Sequence, residues 1–209
     1  MPDRWSRLAP LTAVVFAVLA VVGFIVSNGT TPNSDASGAK VIAYYQAHGS
    51  DSKTADFVFT FAFLFFLFFV GSLRSRLRAG AEGLTALMLA GASVVLVGIG
   101  LFGGVDLALA DYPNRLTPDA AQALNLLNND LFFPVATGSC VFYISAGLAI
   151  ARGLVLPRWL GWVALVLGVI SVTPAFFVGF LAAIPWALIV GVLLYVRGAP
   201  VRAAATAEV

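Results

Sequence analysis

The sequence has few of the side chains that reactive sites and water-soluble domains depend on. It contains one cysteine (Cys140), one histidine (His48) and two lysines in 209 residues, and only 11% of its residues are charged. A single cysteine excludes an intramolecular disulfide and a multi-cysteine metal site, and a single histidine excludes a histidine-rich cage. The net charge of +2 comes from scattered basic residues, so a nucleic-acid interface has no support. The sequence predicts no cofactor and no metal.

Apolar residues are abundant instead. They make up 60% of the chain, which includes 17 phenylalanines, and the mean hydropathy is +0.96. Too little polar surface remains to cover a soluble globule of this size, so we expect the lipid bilayer to be the solvent. One uninterrupted apolar run, 159–196, is long enough for a hairpin of two spans, and we place its turn near Val178–Gly179. The predicted spans are 8–26, 55–73, 84–105, 131–150, 159–177 and 180–196.

Arginine placement predicts the topology. Nine of the ten arginines fall in four short groups that flank the apolar runs. Because positive residues favour the cytoplasmic side, an even number of spans puts all four groups there. The opposite side then holds both lysines and seven of the ten acidic residues. We expect six spans in a bacterial plasma membrane, with both termini cytoplasmic.

Two of the outer connections have helix signals of their own. Ser34 or Asp35 is a suitable N-cap and Gly49 a suitable residue after a helix, which predicts a short helix over 36–48. Thr117, followed by proline, predicts a second helix over 118–128, whose apolar stripe is formed by Ala120, Leu124 and Leu127. The expected fold is all-α: one membrane domain, 1–209, with a six-helix transmembrane bundle and two short extracytoplasmic helices.

Several stretches of the sequence have a familiar pattern: 34–36 with 43–45, 108–111 with 120–125, 129–132 and 156–162. These stretches resemble an uncharacterised group of six-span bacterial membrane proteins of the actinobacterial type. The resemblance implies a six-span fold in the plasma membrane, and it supplies no catalytic residue to carry over.

A polar cluster on the outer side is the best candidate site. Asp106, Asp130, Asn125 and Asn129 lie near the ends of predicted spans, where their oxygens can converge on a cation or a polar headgroup. The alternative is that Asp130 caps a helix and Asp106 is solvated. His48 is a candidate for an outer pH-sensitive or ligand-contacting patch with its neighbouring tyrosines, or else a surface residue near a helix end.

The rest of the sequence narrows the function class. No ionisable residue lies in the middle of any predicted span, which argues against an ion-coupled carrier. The common hydrolase, metalloprotease and phosphate-binding motifs are missing, so enzymatic activity is disfavoured. We expect outer-face binding or sensing, or an accessory role beside a membrane protein partner. The alternative is a carrier for a small apolar molecule or lipid. The third span is predicted to pack closely against its neighbours because it carries the small residues Ala86, Ala90, Gly91, Gly98, Gly100 and Gly104, the last two in GxxxG spacing.

Overall fold

The computed structural model describes residues 7–27, 31–153 and 155–197, and every regular element in these ranges is helical. A 3-10 turn, Ala9–Leu11, leads into the first of seven α-helices. These are α1 (Thr12–Val26), α2 (Gly38–Leu77), α3 (Glu82–Asp111), α4 (Pro118–Asp130), α5 (Phe132–Arg152), α6 (Arg158–Ile170) and α7 (Phe176–Val196). The prediction of an all-α protein is confirmed.

Five helical stretches of the described chain are long and apolar enough to cross a membrane, if α4 and α5 are counted as one. Only Leu131 separates those two helices, whereas α6 is apolar but has just 13 residues. Large apolar side chains cover the outside of the bundle, and Phe61 and Val97 are 55% and 61% exposed. Such a surface is typical of helices solvated by lipid, so a membrane-embedded helical bundle agrees with the fold.

Helix α2 differs from the prediction because it is continuous. Its 40 residues extend about 60 Å at the usual rise per residue. The predicted helix 36–48 is therefore the first part of α2, and the predicted span 55–73 follows it without a break. Gly49 lies inside α2, where it packs on α3 instead of ending a helix. A Cβ atom added there would lie 3.1 Å from the Ala110 carbonyl oxygen, so the missing side chain allows the two helices to approach.

The helix caps agree with the prediction at one site and differ at the other. The Thr117 hydroxyl accepts a hydrogen bond from the Ala120 backbone N–H at 3.3 Å, which caps α4 as predicted. Helix α2 begins after Ser37, which has extended backbone angles, rather than after Ser34 or Asp35. Residues 31–37 lead into α2 without helical structure and contain a turn in which the Ala36 N–H donates to the Asn33 carbonyl oxygen at 3.0 Å.

The final apolar run does form a helical hairpin, but its turn differs from the prediction. Residues 171–175 connect α6 to α7, several positions before the predicted turn at Val178–Gly179. Pro174 lies in this turn, where its missing N–H and fixed φ angle prevent the helix from continuing. Pro185 is instead accommodated inside α7. The hairpin consequently has a short first arm and a long second arm.

Contacts at both ends of the bundle fix the direction of this hairpin. The Arg197 guanidinium, just after α7, donates to the Val155 carbonyl oxygen at 2.9 Å, so α7 ends beside the α5–α6 connection. At the other end, the rings of Phe132 and Phe176 lie 5.8 Å apart, which places the start of α7 beside the start of α5. The segment from residue 155 to residue 197 therefore runs along the bundle and returns.

Glycines determine how closely α3 and α5 pack, and two of them, Gly91 and Gly98, are among those expected from the sequence. A Cβ atom added at Gly91 would lie 2.5 Å from the Phe142 backbone nitrogen, and one at Gly138 would lie 2.8 Å from the Gly91 carbonyl oxygen. By contrast, Gly100 and Gly104 are exposed, with nothing within 4 Å of an added Cβ. The predicted GxxxG pair therefore faces away from the bundle.

Two separate hydrophobic cores stabilise the chain. The main core runs through the bundle and includes the aromatic residues Phe16, Phe63, Phe66, Phe142 and Trp186. The second core lies at one end and is formed by Ala36, Val41, Tyr45, Leu109, Ala110 and Ala121. We call this end the α4 layer. It consists of α4, of residues 36–56, which include the first part of α2, and of residues 105–111 at the end of α3.

Candidate functional site

Asp106 is the centre of a buried polar network in the α4 layer. Its side chain is only 3% exposed, although it belongs to an otherwise apolar stretch of α3. The Tyr45 hydroxyl of α2 donates a hydrogen bond to Asp106 Oδ1, and the Asn128 side-chain N–H of α4 donates to the same atom at 3.2 Å. One carboxyl oxygen therefore connects all three helices of the layer.

A second carboxyl group joins the network from α2. The carboxyl groups of Asp56 and Asp106 lie in contact with each other, and a hydrogen bond between two carboxyl groups requires that one of them carry a proton. Asp56 packs over Gly103, where an added Cβ would lie 3.8 Å from its carboxyl carbon. The absence of a side chain at Gly103 gives Asp56 room beside α3. Two acidic side chains thus share one buried space.

Tyr45 supports the network as a permanent donor. It lies in the second core and 11 residues before Asp56, which is three helical turns and therefore the same face of α2. Burial, followed by the negative charge of Asp106 beside it, raises the pKa of the Tyr45 phenol. The hydroxyl consequently stays protonated and available to donate.

The five residues predicted as a cluster do not come together. Only Asp106 lies in the buried network. The amides of Asn125 and Asn129 bind the segment that leads into α2: Asn125 donates to the Asn33 carbonyl oxygen at 2.8 Å, and Asn129 to that of Pro32 at 3.4 Å. These two asparagines therefore attach residues 31–33 to α4.

The other two predicted residues lie on the surface. Asp130 is exposed and is the last residue of α4, so it does not begin the following helix as expected. His48 is also exposed, and its ring stacks on that of Tyr44 at 4.8 Å between centroids. His48 Nδ1 lies 3.2 Å from the Tyr44 carbonyl oxygen in the preceding turn of α2. Neither side chain contributes to the Asp106 network.

Solvent-exposed polar contacts fasten α2 to the end of α3. Lys53 forms a salt bridge with Asp111 at 3.1 Å, with both side chains substantially exposed. About two turns closer to the start of α2, the Gln46 side-chain N–H donates to Asn114 Oδ1 at 2.7 Å. Among the described residues, the salt bridge is therefore the one between Lys53 and Asp111.

The centre of the bundle contains a small cavity rather than a ligand chamber. Its volume is about 20 Å³, which is room for roughly one water molecule. Phenylalanine is the most frequent residue in its lining, and the hydroxyl-bearing Ser139, Tyr143 and Ser171 also contribute. An apolar guest larger than water would require the helices to separate. Thr137 of α5 is exposed, and its hydroxyl donates to the Phe133 carbonyl oxygen of the same helix.

The chemistry available in the α4 layer is that of oxygen ligands and proton sharing. Two carboxyl groups, one amide and one phenol converge from three helices. In the described part of the chain, no three His, Cys, Asp or Glu side chains gather as a metal site. The arrangement is therefore suited to holding a polar ligand or a cation through oxygen atoms, with groups that were missed in the sequence: Tyr45, Asp56 and Asn128.

The fold and this network define a class: an all-helical protein with several long apolar helices and a separate polar layer at one end. Comparisons of the chain with protein-family profiles, with curated protein sequences and with solved structures find no match. The function has to be inferred from the residues themselves.

Proposed function

We propose that this protein spans a bacterial plasma membrane six times and uses the α4 layer, on the outer side, as a non-enzymatic binding or sensing element. It acts on its own or beside a membrane protein partner. The observation that carries the proposal is the Asp106 network. A buried carboxyl group that joins three helices makes their relative positions depend on its protonation and on any ligand bound to it. Such groups are costly to bury and are commonly kept for use.

The distribution of arginines supports this orientation. Arg74 and Arg76 lie in the last turn of α2, whose first turns belong to the α4 layer at the opposite end. Arg152 and Arg158 flank the α5–α6 connection, and Arg197 contacts that connection. Positive residues gathered at one end favour that end as cytoplasmic. The six-span resemblance noted in the sequence agrees with this proposal.

Helix α6 is the short element in a six-span arrangement. Its 13 residues extend about 20 Å, less than the roughly 30 Å hydrocarbon thickness of a typical bilayer. The turn at 171–175 adds the remaining distance, since Phe176 already lies beside Phe132 at the start of α5. The exposed Trp159 and Trp162, in the first turns of α6, suit the cytoplasmic interface. We therefore count α6 as a span.

Cysteine labelling in intact cells tests the topology. Cys140 is the only native cysteine, so a Cys140→Ala background allows single cysteines to be placed at exposed positions. We expect a membrane-impermeant maleimide to label Gln122→Cys in α4 but to label Ser75→Cys near the end of α2 only after the cells are opened. The reverse pattern would invert the proposed orientation.

A thermal-unfolding screen tests binding. The purified protein is melted in mild detergent with monovalent and divalent cations, inorganic phosphate, and short-chain lipids with zwitterionic or anionic headgroups. The same screen is run on Asp106→Asn and on Asp111→Asn, which removes an exposed acid from the same layer. We expect at least one compound to raise the melting temperature of the wild type and of Asp111→Asn, with a smaller effect on Asp106→Asn. If no compound does so, the outer-face binding proposal fails.

A further inference from the structure

Two buried oxygen atoms beside Asp106 lack a hydrogen-bond partner among the described residues. They are Oδ2 of Asp56 and Oδ1 of Asn128. Asp56 is 9% exposed and Asn128 is 4% exposed, so neither side chain is open to bulk water. The side-chain N–H of Asn128 donates to Asp106, and the carboxyl group of Asp56 lies in contact with that of Asp106. Unpartnered buried oxygens are costly, and here both flank one carboxyl group.

The electrostatics of this group call for a positive charge. Two carboxyl groups in contact repel each other strongly when both are ionised in a buried environment. Lys53 forms its salt bridge with the exposed Asp111 and not with the buried pair. Among the described residues, no ammonium or guanidinium group forms a salt bridge with Asp56 or Asp106. A divalent cation would match the charge of the ionised pair.

The oxygen types narrow the class of cation. Carboxylate and amide oxygens are ligands for hard cations, and Ca²⁺ accepts them in flexible geometry with water completing its shell. The thiol and imidazole groups, which favour softer transition metals, lie elsewhere: Cys140 belongs to α5, and the exposed ring of His48 stacks on Tyr44. The site would join α2, α3 and α4 through one ion.

We propose that Asp56, Asp106 and Asn128 bind a hard divalent cation of the Ca²⁺ type, with the Tyr45 hydroxyl next to it. The inference deepens the proposed outer-face binding function and rests on it, since it names the ligand class of the same site. The ion would tie the first part of α2 to α4, so its binding would stiffen the whole α4 layer.

Terbium luminescence offers a direct test, because Tb³⁺ substitutes for Ca²⁺ on oxygen ligands and is sensitised by a nearby tyrosine. We expect the purified full-length protein to sensitise Tb³⁺ emission, and Ca²⁺ to displace it. Tyr45→Phe should remove most of the emission while Ca²⁺ still raises the melting temperature. Asp56→Asn, nearly isosteric, should raise the dissociation constant for Ca²⁺ at least about tenfold, because one ligand charge is lost. Asp111→Asn should change it less than about twofold.

The outcomes separate the two proposals. Absence of Ca²⁺-displaceable emission from the wild type, or equal Ca²⁺ affinity in wild type and Asp56→Asn, overturns the cation site. This wild-type measurement decides the matter even if a variant fails to fold. If Ca²⁺ has no effect but another compound in the thermal screen stabilises the wild type more than Asp106→Asn, outer-face binding stands and only the cation is wrong. If no compound acts, both fail.

Discussion

Replacing Asp106 with alanine should destabilise the α4 layer by an amount that the structure allows us to work out. The substitution removes the acceptor of two buried donors, the Tyr45 hydroxyl and the Asn128 amide. Each donor left unsatisfied costs about 1–3 kcal/mol, which gives about 2–6 kcal/mol for the pair. The contact with Asp56 is also removed, and relief of that acidic contact acts in the opposite direction. We therefore expect a net loss of about 2–4 kcal/mol in the free energy of unfolding.

A graded series separates the hydrogen bonds from the charge. Asp106→Asn keeps an oxygen acceptor and should lose less than Asp106→Ala. Asp56→Asn replaces the second carboxyl group by an amide whose N–H can donate to Asp106, so the two side chains no longer need to share a proton. The stability of this variant should stay close to that of the wild type. Asp111→Ala breaks only the exposed bridge to Lys53, worth about 0–1 kcal/mol. Unfolding by a denaturing detergent, followed by far-ultraviolet circular dichroism in the presence of a chelator, measures all four without any contribution from divalent ions.

The reasoning fails on a specific result. If Asp106→Ala and Asp111→Ala lose the same stability, within experimental error, then the buried network contributes no more than the exposed bridge. Tyr45 and Asn128 would then have other acceptors in solution, and the assignment of Asp106 as the centre of the layer would be wrong.

Two further pairs of variants test the packing. Gly91→Ala should be less stable than Gly100→Ala by about 1–3 kcal/mol. Both variants gain the same helix propensity, but only Gly91→Ala forces a Cβ against the α5 backbone. Equal stability of the two variants in detergent unfolding would show that α3 and α5 are further apart. Asn125→Leu should lose about 1–3 kcal/mol by releasing the Asn33 carbonyl, whereas Asn114→Ala, at an exposed contact, should stay within about 0.5 kcal/mol. A smaller loss for Asn125→Leu than for Asn114→Ala would contradict that attachment.

Composition and periodicity predict the helical class because they act locally. Apolar length and the lack of charge require helices in lipid, wherever the helices finally pack. The prediction is poorer where a helix end depends on a neighbour. Gly49 has the sequence character of a helix end, yet α2 continues through it because Ala110 of α3 fills the space beside it. That contact joins residues far apart in the chain, so the local sequence gives no sign of it.

The buried face of α4 differs from the predicted one for a related reason. The apolar pattern pointed inward through Leu124 and Leu127, but Leu127 is 49% exposed. The buried face instead contains Ala121, Asn125 and Asn128, at the same helical spacing. Burying a side-chain amide is favourable only when it has hydrogen-bond partners inside the protein. The acceptors here are the Asn33 carbonyl oxygen for Asn125 and the Asp106 carboxyl group for Asn128. A hydrophobicity pattern cannot register such partners.

The same limit explains why Asp56 was overlooked as a partner of Asp106. In the sequence, Asp56 stands at the start of a phenylalanine-rich span, where an acid is expected to be solvated at the membrane surface. Its significance depends on the antiparallel alignment of α2 and α3, which brings it over Gly103, and on α4 closing the third side with Asn128. One acid at a helix end is ordinary, but two in contact inside a folded layer require a proton or a cation between them. That requirement appears only once three helices are placed together, so no local pattern in the sequence predicts it.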